Sequence, residues 1–260
     1  SLIPAGLIDR INIYMGGSSL DLGSGGLGGI INLETQPDLT DQTRFMLNPG
    51  TGSFGKYSCM ARLVTGSASL SSSTKAYFLK SVNNFRYLNT SLGINPEWER
   101  RVNSQVAHRG VMQEIYLKTS TNTKLSGRFW YQSADRNLPV PITMQTMNPP
   151  EKQYDESFRT MLNLETAHNQ TDFNATGAFI SDYLHYTNQN ASTDSRNLSQ
   201  SVILRTSINK KLGIGTQLRF DFNDEINLIN SNNYDSNPVR NLASAGFLSE
   251  SDLNSRLSAR

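Results

Sequence analysis

Few residues in this chain of 260 combine a chemically useful side chain with the spacing that catalysis or ligation requires. His108, His168 and His185 are far apart, and none has a second ligand type at metal-binding spacing, so they read as loop or strand-end histidines. Gly-x-Ser-x-Gly does not occur, and no Ser-His-Asp or Cys-His arrangement is suggested by context. No enzymatic activity, catalytic residue, metal or cofactor is assigned on these grounds. Gly23, Gly25 and Gly28 satisfy G-x-G-x-x-G, but that motif works only where a helix opens on the glycines and holds a pyrophosphate at its N-terminus. Here Ile30 to Glu34 is patterned as a strand closed by Pro37, so the helix is missing. Glu97 and Glu99 flank Trp98 beside Arg100 and Arg101. That cluster reads either as a ligand-contacting patch or as a solvated charged loop.

The elements that would position such residues are strands. Hydrophobic residues make up 37% of the chain, charged residues 18%, and the mean hydropathy is −0.45. Ser, Thr, Asn and Gln fill the gap, a composition suited to a sheet with one wet face. A net charge of +2 offers no concentrated basic patch for nucleic acid. The single cysteine, Cys59, excludes an internal disulfide and reads as a small buried or wall-facing side chain. No window approaches the roughly 18 apolar residues of a transmembrane helix. The chain opens on Ser1 without a charged and then apolar leader, which reads as a piece of a longer protein.

From about residue 42 the pattern alternates with period two. Leu125, Gly127, Phe129 and Tyr131 oppose Ser126, Arg128, Trp130 and Gln132, and Phe158, Thr160, Leu162 and Leu164 oppose Arg159, Met161, Asn163 and Glu165. Residues 202–209 repeat this around Arg205, residues 217–223 around Arg219 and Asp221, and residues 172–186 do so less cleanly. Each strand therefore carries an apolar stripe on one side and a polar one on the other. The connections alternate as well: short at 68–73, 120–122, 167–171 and 210–213, long at 87–108, 138–155 and 229–241, and intermediate at 188–198. Short and long ends that segregate to opposite sides describe an antiparallel meander of about nine strands, with a tenth beginning beyond Asn241, the arrangement of an outer-membrane barrel.

Ahead of these strands, Ile8 to Thr35 consists of two β-patterned pieces around seven glycines from Gly16 to Gly29. That density calls for positive φ angles or close backbone approach to another wall. The order Ile8-Asp9-Arg10-Ile11-Asn12-Ile13, Gly16, then Leu22-Gly23-Ser24-Gly25-Gly26-Leu27-Gly28-Gly29-Ile30-Ile31-Asn32-Leu33 resembles the end of the plug domain in TonB-dependent outer-membrane receptors. It departs from the family at Gly17 (usually proline), Leu22 (often tyrosine) and Gly26 (usually alanine).

The resemblance covers about a tenth of the chain and implies an all-β fold: residues 1–37 close a plug, and 38–260 begin an antiparallel up-and-down transmembrane barrel of about 22 strands. It implies a bacterial outer-membrane receptor that imports a scarce nutrient, of the iron-siderophore, haem or cobalamin (vitamin B12) class. Its partners would be outer-membrane lipid, the nutrient as a small ligand such as a metal chelate, and the TonB system, whose contact box lies outside this chain. Gly16, Gly23, Gly25, Gly28 and Gly29 would let plug backbone approach the wall, while inward Arg128, Arg159, Glu165, Arg205, Arg219 and Asp221 would meet the plug or line a wet path. Tyr87, Trp98, Arg100, Gln153 and Tyr154 are the ligand-contact candidates of the long loops, and the same aromatics equally suit the girdle at the membrane boundary. The competing expectation is a soluble or surface-attached β-sandwich, an adhesin or carbohydrate-binding module, in which the apolar stripes bury each other.

Overall fold

The computed structural model describes residues 5–15, 28–35, 39, 41–91, 96–139, 141, 151–213, 215–254 and 257–259. After a single 3-10 turn at Ala5–Leu7, β1 (Arg10–Met15) and β2 (Gly29–Glu34) pair as an antiparallel hairpin, with Ile11 opposite Leu33 and Ile13 opposite Ile31. The strands that follow are β3 (Arg44–Gly52), β4 (Lys56–Gly66), β5 (Leu70–Ser81), β6 (Arg86–Asn89), β7 (Glu97–Arg100), β8 (Val106–Lys118), β9 (Thr123–Leu138), β10 (Glu151–His168), β11 (Thr171–Asn188), β12 (Thr193–Lys211), β13 (Thr216–Ser231), β14 (Val239–Asn254) and β15 (Leu257–Ala259). Eleven of them form one antiparallel sheet in the order β15-β14-β13-β12-β11-β10-β9-β8-β5-β4-β3, and β6 and β7 pair separately in the connection between β5 and β8. The sheet is open, a meander of ten long strands and a short eleventh.

Pleating and register fix the two faces. Lys75, Glu114, Arg128, Arg159, Arg205 and Asp221 fall on one face of the sheet, and Phe78, Ile115, Phe129, Leu162, Leu204 and Phe220 fall on the other. The second set is exposed, between 42% and 62% by residue. No second sheet covers this apolar face among the described residues, so the sandwich arrangement is not favoured. On β11 the outward aromatics run from Phe173 to Tyr183. Ten residues at ~3.3 Å, tilted by ~45°, give a band about 23 Å tall, close to the apolar belt of a barrel wall.

The ends of the meander differ. Connections at residues 67–69, 119–122, 169–170 and 212–215 are tight at one end, while 82–105, 139–150 and 232–238 are longer at the other. Asn169 and Gln170 both adopt positive φ, 44° and 64°, the two-residue turn whose twist matches paired strands. The intermediate connection expected at 188–198 is instead the four-residue turn 189–192, because Asp194–Leu198 continues the ladder against Leu184–His185 and its neighbours.

Candidate functional site

The polar face is built around a charge buried by the N-terminal segment. Lys75, on β5, is 1% exposed, and Glu114, opposite it on β8 one row away, is 2% exposed; their charged groups are 3.0 Å apart. Flanking Lys75 with Ser71 and Ser73, both buried, leaves room above the strand for another piece of chain. That piece is the hairpin. Lys75 Nζ donates to the Leu7 carbonyl at 2.8 Å and lies 3.9 Å from Asp9, whose carboxylate also meets Arg62 Nη1 of β4 at 3.2 Å.

The other end of the hairpin is held by the same group. Arg128 Nε of β9 donates to Glu114 at 2.9 Å. Thr35, just past β2, places its hydroxyl against both Glu114 and Arg128 and 3.0 Å from Tyr116 Oη, and Tyr116 Oη donates to the Thr35 carbonyl at 3.2 Å. Four wall strands thus grip residues 7–9 and 35 through one network centred on Glu114. Beside it, Leu7, Tyr77 and Met112 form a small apolar core, with Ile8, Met60 and Trp130 packed against it. Gly6 sits where an added Cβ would collide with the Met60 thioether, and at Gly110 a Cβ would lie 2.5 Å from Tyr77 Oη and 2.7 Å from the Tyr131 carbonyl. Gly110 therefore lets the Tyr77 ring lie flat on the sheet, where its hydroxyl donates to Gln132 at 3.0 Å and meets His108 Nε2 at 3.2 Å.

Toward the end with longer connections, the same face carries a concavity of about 300 Å³ lined by His108, Gln132, Arg136, Asp155, Arg159 and Asp182, among others. Its charges are paired: Arg136 with Asp155, and Arg159 with Asp182 at 3.4 Å. Arg159 also lies 5.1 Å over the Trp130 ring. Leu184 and Ile229 also line the concavity, so both signs of charge stand around a partly apolar floor. Among the described residues no group of three His, Cys, Asp or Glu could hold a metal, and no helix is long and apolar enough to cross a membrane.

The register places Arg128, Arg159, Glu165, Arg205, Arg219 and Asp221 on the face of Lys75 and Glu114. Among the described residues Arg128 reaches Thr35 at the end of the hairpin, Arg159 pairs with Asp182, and Arg219 with Asp221 at 2.9 Å. Gln153 and Tyr154, adjacent on β10, point to opposite faces: Gln153 donates to Asp155 at 2.9 Å on the polar side, while Tyr154 is on the apolar side with Tyr183, ring centroids 6.3 Å apart. Tyr87, Trp98 and Arg100 belong to the β6–β7 hairpin. Gly16, Gly23 and Gly25 lie outside the described residues. An added Cβ at Gly28 would meet nothing within 4 Å, and at Gly29, φ 141°, it would meet the Tyr14 carbonyl of its own hairpin at 2.6 Å. Among the described residues, Gly6 is a glycine of the N-terminal segment that lies close against the wall, at the Met60 side chain. His108 is neither loop nor solvated: it is the third residue of β8 and 4% exposed. Lys75, Glu114 and Tyr116 carried no signal in the sequence as single residues.

No family model and no curated protein matches the sequence. Solved structures do match the fold. The FrpB iron transporter from Neisseria meningitidis aligns over 96% of this chain and 44% of its own, with a TM-score of 0.77 at 12% identity. The siderophore receptor PiuA from Acinetobacter baumannii aligns over 86% of this chain and 35% of its own (TM-score 0.62, 12% identity), and the copper transporter OprC over 95% and 48% (TM-score 0.56, 11% identity). The chain thus spans less than half the length of each. The shared fold is a partial antiparallel barrel wall.

Proposed function

We propose that this chain is the plug tail, residues 1–37, and the first part of the barrel, residues 38–260, of a TonB-dependent outer-membrane receptor that imports a metal chelate such as an iron siderophore or haem. One observation carries the reading: an exposed apolar sheet face lies behind a polar face that grips an N-terminal hairpin through buried Lys75 and Glu114. Lipid covers the first face and the plug occupies the second, with the tight turns in the periplasm and the longer connections outside. The molecule is a transporter rather than an enzyme. Energy delivered by TonB moves plug segments, while Arg128 and its neighbours hold the tail in register. The paired charges of the 300 Å³ concavity, with Gln153 beside them, face the ligand path. Arg205, Arg219 and Glu165 line its periplasmic end.

The test is fractionation of the full-length parent protein, followed by urea and carbonate extraction and a gel of heated and unheated samples. Retention in the outer membrane with altered unheated migration supports the reading. Extraction as a soluble protein overturns it.

A further inference from the structure

The β6–β7 hairpin segregates its side chains in a way that the import role leaves unexplained. Cross-strand pairs are Arg86 with Arg100, Tyr87 with Glu99, and Leu88 with Trp98. One face is closed upon itself: Tyr87 Oη donates to Glu99 Oε2 at 2.7 Å, and Asn89, 1% exposed, donates to Glu99 Oε1 at 3.1 Å. Burial and the Glu99 carboxylate hold the Tyr87 hydroxyl above its ordinary pKa. The other face is Arg86, Leu88, Trp98 and Arg100, all exposed, with Trp98 at 63%.

Two guanidiniums directly opposite each other repel, and neither has a carboxylate partner among the described residues. Arg86 lies 5.5 Å over the Trp98 ring, which fixes the pair around an aromatic anchor. A four-residue hairpin face is too flat to enclose a small ligand, whose sites are concave and bury most of its surface. A layer of anions above an apolar phase fits it. On the closed face Phe85 packs edge-on against Tyr87 and meets Phe54 of the β3–β4 turn, ring centroids 6.4 and 5.9 Å apart, which ties the hairpin to the wall and leaves the Trp98 face outermost.

We infer that this face docks on the outer leaflet, with Trp98 and Leu88 inserted at the headgroup level and Arg86 and Arg100 on lipid phosphates. The hairpin is then an interfacial anchor that holds the β5–β8 connection against the membrane beside the barrel mouth. The inference rests on the barrel orientation proposed above.

The test uses the full-length receptor in nanodiscs of phosphatidylcholine, with or without phosphatidylglycerol, carrying lipid brominated near the headgroup. Subtracting the Trp98→Phe signal from wild type isolates Trp98 fluorescence. Trp98 is expected to be quenched in anionic discs. Arg86→Gln/Arg100→Gln, or high salt, should weaken that docking by about fivefold for each arginine, the equivalent of ~1 kcal/mol per basic residue near an anionic surface. Unquenched Trp98 in discs of either composition, in a receptor that has inserted, overturns the anchor and leaves the barrel reading intact. A receptor that fails to insert overturns both. A Trp98 shift on adding salicylate in detergent, without quenching in discs, assigns the face to a soluble anion and overturns the lipid assignment.

Discussion

Replacing Glu114 by glutamine keeps the side chain's shape and removes the charge on which the hairpin clamp converges. At 3.0 Å and an effective dielectric of ~20, the gross attraction of Lys75 and Glu114 is about 5 kcal/mol. Desolvation cancels much of that, yet breaking such a pair from one side costs about 3–5 kcal/mol because the surviving charge stays buried. Lys75 keeps the Leu7 carbonyl at 2.8 Å, and the new amide still accepts a hydrogen bond, so the expected loss is about 2–3 kcal/mol. The loss is local to the hairpin. Hydrogen exchange at the Asp9 amide, which donates to the Glu34 carbonyl at 3.0 Å, should accelerate roughly 30- to 150-fold. Amides in β11 and β12, remote from the clamp, should not change. Lys75→Met/Glu114→Leu, which removes both charges and fills the space, should be closer to wild type than Glu114→Gln is. Acceleration under about threefold, or equal acceleration in β12, would refute the clamp as the element that fixes the tail.

The other expectations concern packing, the lipid face and the rim. Gly110→Ala should destabilise the wall by about 1–3 kcal/mol, since the Tyr131 carbonyl 2.7 Å from the new Cβ is backbone that cannot step aside; urea unfolding of the refolded protein measures it. Leu162→Arg, in the middle of the outward stripe and 62% exposed, should cost about 2–4 kcal/mol in folding into vesicles, whereas Arg205→Leu on the polar face should cost far less. At the rim, Arg196 and then His185 hold the Asp194 carboxyl below its ordinary value near 3.8. A depressed folded pKa stabilises the native state above the unfolded value and loses that contribution as pH falls through the folded one. The carboxyl's NMR titration should therefore have its midpoint below 3.8 and move back toward it in Arg196→Gln.

Much of the wall was legible because a pleated strand shows its environment in every second residue. Phe129 against Arg128 and Leu162 against Arg159 announce a sheet with one apolar and one wet side, and the register preserves that division across the strands. Two other features were not legible. A short turn can follow a polar stretch that still pairs, as Asp194 and Ser195 do with Thr187 and Tyr186, so connection length cannot be read from polarity alone. The clamp was also invisible, because Lys75 on β5 has the same pattern as any wet-face lysine. Its burial depends on Leu7, which is 68 positions away in the chain. The glycine-rich stretch lies mostly outside the described residues, and the side chains that hold its flanking hairpin to the wall, Asp9 and Thr35, stand just outside the two paired strands and carry no special spacing.

Why the tail is gripped by charge rather than by a larger apolar core follows from what surrounds it. The described core of the contact is small, Leu7, Tyr77 and Met112 with three partly buried neighbours, and it is flanked by the polar face of the sheet. A broad apolar contact there would leave two hydrophobic surfaces facing water whenever the N-terminal segment leaves the wall, which is a site for misassociation. A buried ionic network contributes little net stability over an apolar replacement, but it tolerates only one register, since any slip strands Lys75 or Glu114 without a partner. Displaced, the same groups are compatible with water. The Arg128–Glu114–Lys75 row therefore suits a joint that must be specific when closed and harmless when wetted, and that requirement, more than stability, accounts for placing two nearly inaccessible charges on the inner face of the wall.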